Sequence, residues 1–191
     1  QTYLGLGELD AAEYHLDLAC ALLGEHLGAE DPATLRARSS RGPLLHARGR
    51  FADGLAEMQA VSARQIAMLG REHRDVLVTR FHLGTMLIGL GRETEAVAVL
   101  KDVLDARRDR GEHETYKTLQ VIRRLSNAER SLGLWADCEA HVREGLEICR
   151  STLGEDHAAA AGFLESLGLV AREQGQYEEA RTWIERAIAI H

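Results

Sequence analysis

Five glycines, Gly7, Gly49, Gly91, Gly133 and Gly175, follow one another at intervals of 42 residues along a chain of 191. No insertion or deletion disturbs the spacing. A fixed period of this length means one supersecondary unit stacked on copies of itself, because a single unit cannot bury its own apolar face. Other columns keep the register. Two residues after each glycine stand Leu9, Phe51, Glu93, Trp135 and Tyr177. Five after it stand the small residues Ala12, Gly54, Ala96, Cys138 and Ala180, and nine after it the apolar Leu16, Met58, Leu100, Val142 and Ile184. Seven before it come Gly42, Gly84, Ser126 and Gly168, again small.

Offsets +2, +5, +9 and +12 make one apolar stripe at helical spacing, and offsets −14, −11, −8, −7 and −4 make another. Each unit is therefore predicted to be a helical hairpin, helix A then helix B, with the glycine at the turn and the small residues where the helices press together. A second landmark precedes each helix A: "LGAEDPATL" from Leu27, "LGREHRDVL" from Leu69, "RGEHETYKTL" from Arg110 and "LGEDHAAAA" from Leu153. Asp31 before Pro32 reads as an N-cap followed by a proline in the first turn. Gly28, Gly70 and Gly154 are expected to end the preceding helix B, with the third copy the least regular. Gly42-Pro43 falls inside a helix A, where proline removes a hydrogen bond and crowds the previous turn. A kink or break is expected between Ser39 and Pro43.

The turn pattern, in "GQYEEA" and "GRETEA" above all, resembles that of tetratricopeptide repeats. The period of 42 and the "LGEDH" or "LGREH" linkers resemble the longer repeat of kinesin light chains. The resemblance implies an all-α, right-handed superhelix (solenoid) of antiparallel helical hairpins. Its units are 1–26 with helix A truncated, 27–68, 69–110, 111–152 and 153–191 with the last helix truncated. On this reading Gly7 is the turn of a first hairpin whose helix A is cut short, and the chain is expected to be a piece of a longer protein. Tyr3, Leu4 and Leu6 at one end, and Trp183, Ile184, Ile188 and Ile190 at the other, are expected to belong to half-built interfaces that favour end-to-end self-association.

Composition narrows the function. A net charge of −7 gives no support to general binding of nucleic acid or anionic membranes. No apolar run nears the ~18 residues of a spanning helix. Three cysteines without CxxC spacing point to buried thiols in a reducing cytoplasm rather than to disulfides or zinc. Arg and Ala dominate over Lys, as in a GC-rich, bacterial gene. His73, His113 and His157 recur about once per unit, too far apart to share an ion, and are expected to pack or cap the linkers. No nucleophile–base set, phosphate loop or metal motif is present, so neither enzymatic activity nor a cofactor nor a metal is expected.

The resemblance places the concave wall on helices A, at offsets −13, −10, −9, −6, −3 and −2. The candidate partner-binding residues there are Arg36, Ser40, His82, Gln120, Arg123, Arg124, Asn127, Arg130 and Arg172. The asparagine that the family often carries at −9 is replaced by Ser40, His82, Arg124 and Ser166. The expected function is a protein–protein interaction scaffold holding a peptide or partner surface, its acidic side chains met by the guanidinium fork. The alternative is a regulatory, ligand-sensing array within a larger signalling protein.

Overall fold

In the computed structural model residues 2–112, 115–154 and 157–190 are described, residues 2–7 as backbone alone. Among the described residues there are ten helices and no strand. They are α1 (Thr2–Leu27), α2 (Pro32–Ser39), α3 (Arg41–Ala47), α4 (Phe51–Leu69), α5 (Arg74–Gly89), α6 (Glu93–Asp109), α7 (Tyr116–Ser131), α8 (Trp135–Thr152), α9 (Ala158–Glu173) and α10 (Tyr177–Ile188). The chain divides into two compact units, Gln1–Val99 and Leu100–His191, with the division inside α6.

Gly49, Gly91, Gly133 and Gly175 occupy the turns between α3 and α4, α5 and α6, α7 and α8, and α9 and α10, each at positive φ (68° to 77°). At Gly49 the amide bonds the His46 carbonyl and the next amide, of Arg50, bonds Leu45, the pairing that closes a helix on a left-handed residue. Gly28, Gly70 and Gly154 end α1, α4 and α8 with wider φ (82° to 96°). The third linker differs: Gly111 sits at φ 71° and its turn bonds Glu112 back to Arg107, copying the turn inside a hairpin.

The small-residue columns are where helices touch. Gly54, Ala96, Cys138 and Ala180 are all buried. A Cβ at Gly54 would stand 2.6 Å from the Met86 sulfur, and one at Gly42 would stand 2.9 Å from the His82 Cβ. The first unit's core gathers Leu35, Met58, Val61, Leu77 and Met86, and the second's Leu104, Leu119, Ile122, Leu125 and Leu164, all sealed from solvent. Each such side chain contributes about 1.5–3 kcal/mol of burial free energy.

The predicted break is present. Helix A of the second repeat is two helices, α2 and α3, parted at Ser40. Pro43 has no N–H to give the Ser39 carbonyl, and Gly42 lies flush against His82. Arg41, in a column that Leu83, Leu125 and Leu167 fill elsewhere, reaches 2.6 Å to Asp17 of α1.

Two expectations are corrected. Gly7 makes no turn, since α1 runs unbroken from Thr2 to Leu27. The helix passes straight through the glycine. Ala12 is accordingly exposed, unlike its equivalents, and Tyr14, Leu18 and Leu22 form an exposed stripe. At the other end, Ile184 packs against Gly168 of α9, with its Cδ1 2.7 Å from where a Cβ would be. It belongs to its own hairpin and not to an open face. Trp183 and Ile190 are half-buried, Ile188 is exposed, and the side chains of Tyr3, Leu4 and Leu6 lie outside the described residues.

Candidate partner-binding surface

The linkers set where each helix A begins. Asp31 accepts from the Ala33 amide at 2.8 Å and Thr115 from the Thr118 amide at 3.2 Å. His73 and His157 cap in the same way, each through Nδ1, to the amides of Asp75 (3.2 Å) and Ala159 (3.1 Å). These two repeated histidines are helix caps, and His113 lies outside the described residues. No three described His, Cys, Asp or Glu side chains are placed to hold a metal ion. No described helix is long and apolar enough to cross a membrane.

In the first unit, Arg36, Ser40 and His82 come together. With Ser39, Gln65 and Asp75 they border a cavity of about 150 Å³ between α2, α4 and α5. The exposed Arg36 guanidinium stands 3.5 Å from Asp75, and Ser40 turns its hydroxyl to the Arg36 carbonyl at 3.1 Å. His82 stands at the offset that Arg124 holds in α7, but carries no comparable charge. Burial, and then the neighbouring His46, push its pKa down to about 4, so it is neutral near pH 7.

In the second unit, Gln120, Arg123, Asn127 and Arg130 follow at three- and four-residue steps, one stripe along α7. Arg123 and Arg130 are about 10 Å apart along the axis. Arg124 is adjacent in sequence and half-buried, and its pKa is lowered, first by burial and then by the charge of Arg123. Among the described residues none of these three arginines has an acid partner, and the buried Nε of Arg130 has no hydrogen bond. Most other arginines are held by acids, as Arg38 is by Glu57 and Arg108 by Glu144. Gln120 and Arg123 also border a cavity of about 290 Å³ floored by Leu119, Gly162 and Phe163. Arg172, near the end of α9, is exposed and pairs with its neighbour Glu173 at 2.8 Å.

Residues 117–191 match the sequence profile described as tetratricopeptide repeat. That stretch is similar in sequence to tetratricopeptide repeats. The fold of the whole chain is of the same kind. Two crystal structures of a Podosopora anserina protein assigned as a kinesin light chain, with nearly identical TPR-like repeats, superpose at TM-scores of 0.83 and 0.81. Each is 22% identical, over 99% of this chain and 89% or 90% of that one. BtubC (BKLC) from P. vanneervenii superposes at 0.77, with 19% identity over 96% of this chain and 72% of its own. No curated protein matches the chain. A tetratricopeptide-repeat fold is that of a protein–protein interaction scaffold, stacking hairpins into extended surfaces for other proteins.

Two polar groups escaped the sequence reading. Glu129, fully buried, stands in the −4 column that Leu45, Leu87 and Ala171 fill elsewhere. It meets His141 Nδ1 at 2.8 Å and Lys101 Nζ at 3.4 Å. Gln65, 1% exposed, occupies the +16 column beside Leu23 and Cys149 of other repeats. For Glu129 the signal was a lone polar residue in an otherwise apolar column; the Gln65 column also carries Arg107 and gave no such signal.

Proposed function

We propose that this tetratricopeptide-repeat chain is a protein–protein interaction scaffold and that the α7 face receives an acidic segment of its partner. The observation that supports this reading is the group Arg123, Arg124 and Arg130, three cations with no acid partner among the described residues, in a chain of net charge −7 whose other arginines are mostly paired. An arginine that is already half-desolvated and unpaired gains more from an incoming carboxylate than an exposed or neutralised one. Gln120 and Asn127 lie on the same stripe and supply uncharged contacts between the cations. The neighbouring cavity, with its apolar floor of Leu119 and Phe163, suits an apolar side chain next to the acid. Arg36 and Arg172, already neutralised, take a lesser part. Three free thiols, two of them buried, accord with a cytoplasmic setting.

The test is binding of fluorescent acidic peptides, aspartate- or glutamate-rich with one large apolar residue, followed by anisotropy at rising salt. Affinity is expected to fall as salt screens the pairs. Salt-independent binding, or equal affinity for a basic peptide of the same length, would overturn the reading.

A further inference from the structure

The cavity of the first unit holds a donor without an acceptor. Gln65 is 1% exposed, it borders the cavity, and its Nε2 is sealed from solvent with no hydrogen-bond partner. Its other amide atom is engaged: Thr79 Oγ1 lies 2.7 Å from Gln65 Oε1, 2.7 Å from Ser39 Oγ and 3.0 Å from the Asp75 carbonyl. Turning the amide over does not help, because Thr79 can satisfy only one end of it. One polar end of Gln65 is left over in either orientation, and a buried amide without a partner is costly.

The electrostatics of the wall restrict what would satisfy it. Arg36 and Asp75 cancel each other. His82, the third titratable group at the cavity, carries no charge near neutral pH. A ligand carboxylate would stand against Asp75, and a ligand ammonium against Arg36. A neutral group that both accepts and donates meets neither penalty. Its carbonyl takes hydrogen bonds from Gln65 Nε2 and the Arg36 guanidinium, and its N–H gives one to the Asp75 carboxylate. The volume, about 150 Å³, suits one such group and not a ring system. Arg36 is the movable wall, being 59% exposed and held to Asp75 only at 3.5 Å.

We infer that this cavity, lined by Gln65, Arg36 and Asp75, is a binding site for an uncharged amide, supplied by a partner's peptide backbone or by an asparagine or glutamine side chain. The site lies wholly in the first unit and does not depend on the arginine face of α7.

The probes are acetamide, for the carboxamide side chain, and N-methylacetamide, for the peptide backbone. Acetate and methylammonium serve as charged controls of like size. Each is titrated into the ¹⁵N-labelled chain while the Gln65 side-chain NH₂ signals are followed. One or both amides are expected to shift these signals saturably, the tighter one identifying the source, while the charged probes do not saturate. Followed through the backbone amide signals of Ser39, Ser40 and Asp75 at the cavity wall, Gln65→Met is expected to weaken amide binding about tenfold, the worth of one hydrogen bond. It is also expected to hold Tm or raise it by about 2–4 °C, since an unsatisfied amide is removed and Thr79 keeps two partners. Arg36→Met, at an exposed position, is expected to weaken amide binding severalfold in a chain of unchanged Tm. The inference is overturned if acetate saturates, if no probe moves the Gln65 signals, or if Gln65→Met binds the amides as the wild type does. A clear fall in Tm on Gln65→Met also overturns it, since the amide would then be satisfied within the free protein.

Discussion

On α2 of the first unit the exposed Arg36 is answered by Asp75, and the histidine of α5 at the same wall is neutral. On α7 of the second unit Arg123, Arg124 and Arg130 have no acid among the described residues, and Arg124 is half-buried. Both walls grow from the same 42-residue unit with the same small-residue columns and the same turn glycine. Backbone and recognition are thus separable in this molecule. The columns that face the partner helix keep the hairpin, and the columns between them are free to vary in charge.

The largest expected effect tests this difference directly. Arg124→Glu with Arg130→Glu is expected to weaken binding of an acidic peptide by about 100-fold or more, two charge-assisted contacts being lost and two repulsions gained. Arg36→Glu is expected to change it less than about threefold, as an exposed, already paired charge does. Anisotropy titrations with circular dichroism as folding control decide it. Equal losses from both variants would show that the walls are not differentiated.

Buried charge differs between the units as well. In the second unit Glu129 depends on His141 and Lys101. His141→Ala is expected to destabilise by about 2–3 kcal/mol, because it strips a hydrogen bond from a buried carboxylate. Adding Glu129→Leu, which places there the leucine that two other repeats carry as Leu45 and Leu87, should recover most of that loss. Urea melts of the two variants measure both. If the double variant is no better than the single one, the pair is not what His141 supports.

The fold was legible in the sequence to an uneven depth, and the reasons are physical. Turn glycines at Gly49, Gly91, Gly133 and Gly175 and the break before Pro43 are local demands of the backbone, so they show in one dimension. Gly7 matched its column yet lies inside α1, so a glycine in register is not by itself a turn. The candidate residues lie along helices A, apart from Ser40 at the break between α2 and α3, but their charge states were not legible. Arg36 meets an acid 39 residues away, and burial by packing neutralises His82. Spacing alone reports which way a side chain leaves its helix and not what waits for it there.

The neutral histidine makes the first unit sensitive to acid. His82 in the unfolded chain titrates near its ordinary 6.5, whereas in the folded chain its pKa lies at about 4. Between those values the unfolded state takes up a proton that the folded state does not. The stabilisation is therefore whole above pH ~6.5, falls as pH drops toward 4, and is gone below it. The shift corresponds to at most about 3 kcal/mol, and less if solvent reaches the ring. His82→Gln is expected to flatten the pH 7 to pH 5 difference in Tm, while Arg124→Gln in the second unit leaves it unchanged. An identical pH profile for wild type and His82→Gln would remove His82 from the account.

The smallest expected effect concerns a feature the two units share. His73 starts α5 in the first unit and His157 starts α9 in the second, each accepting a backbone N–H through Nδ1. His73 is half-buried and His157 exposed. A cap in the less solvated place is harder for water to replace, since the freed amide has no alternative partner. His73→Ala is therefore expected to cost about 1 kcal/mol and His157→Ala a few tenths. Aspartate at either position should do better than histidine, because a carboxylate caps the same amide and also interacts favourably with the helix N-terminus. Thermal melts of the four variants at pH 7 rank them. If both alanine variants cost the same, solvent exposure does not set the strength of these caps, and the linkers of the two units are equivalent in energy although their helix walls are not.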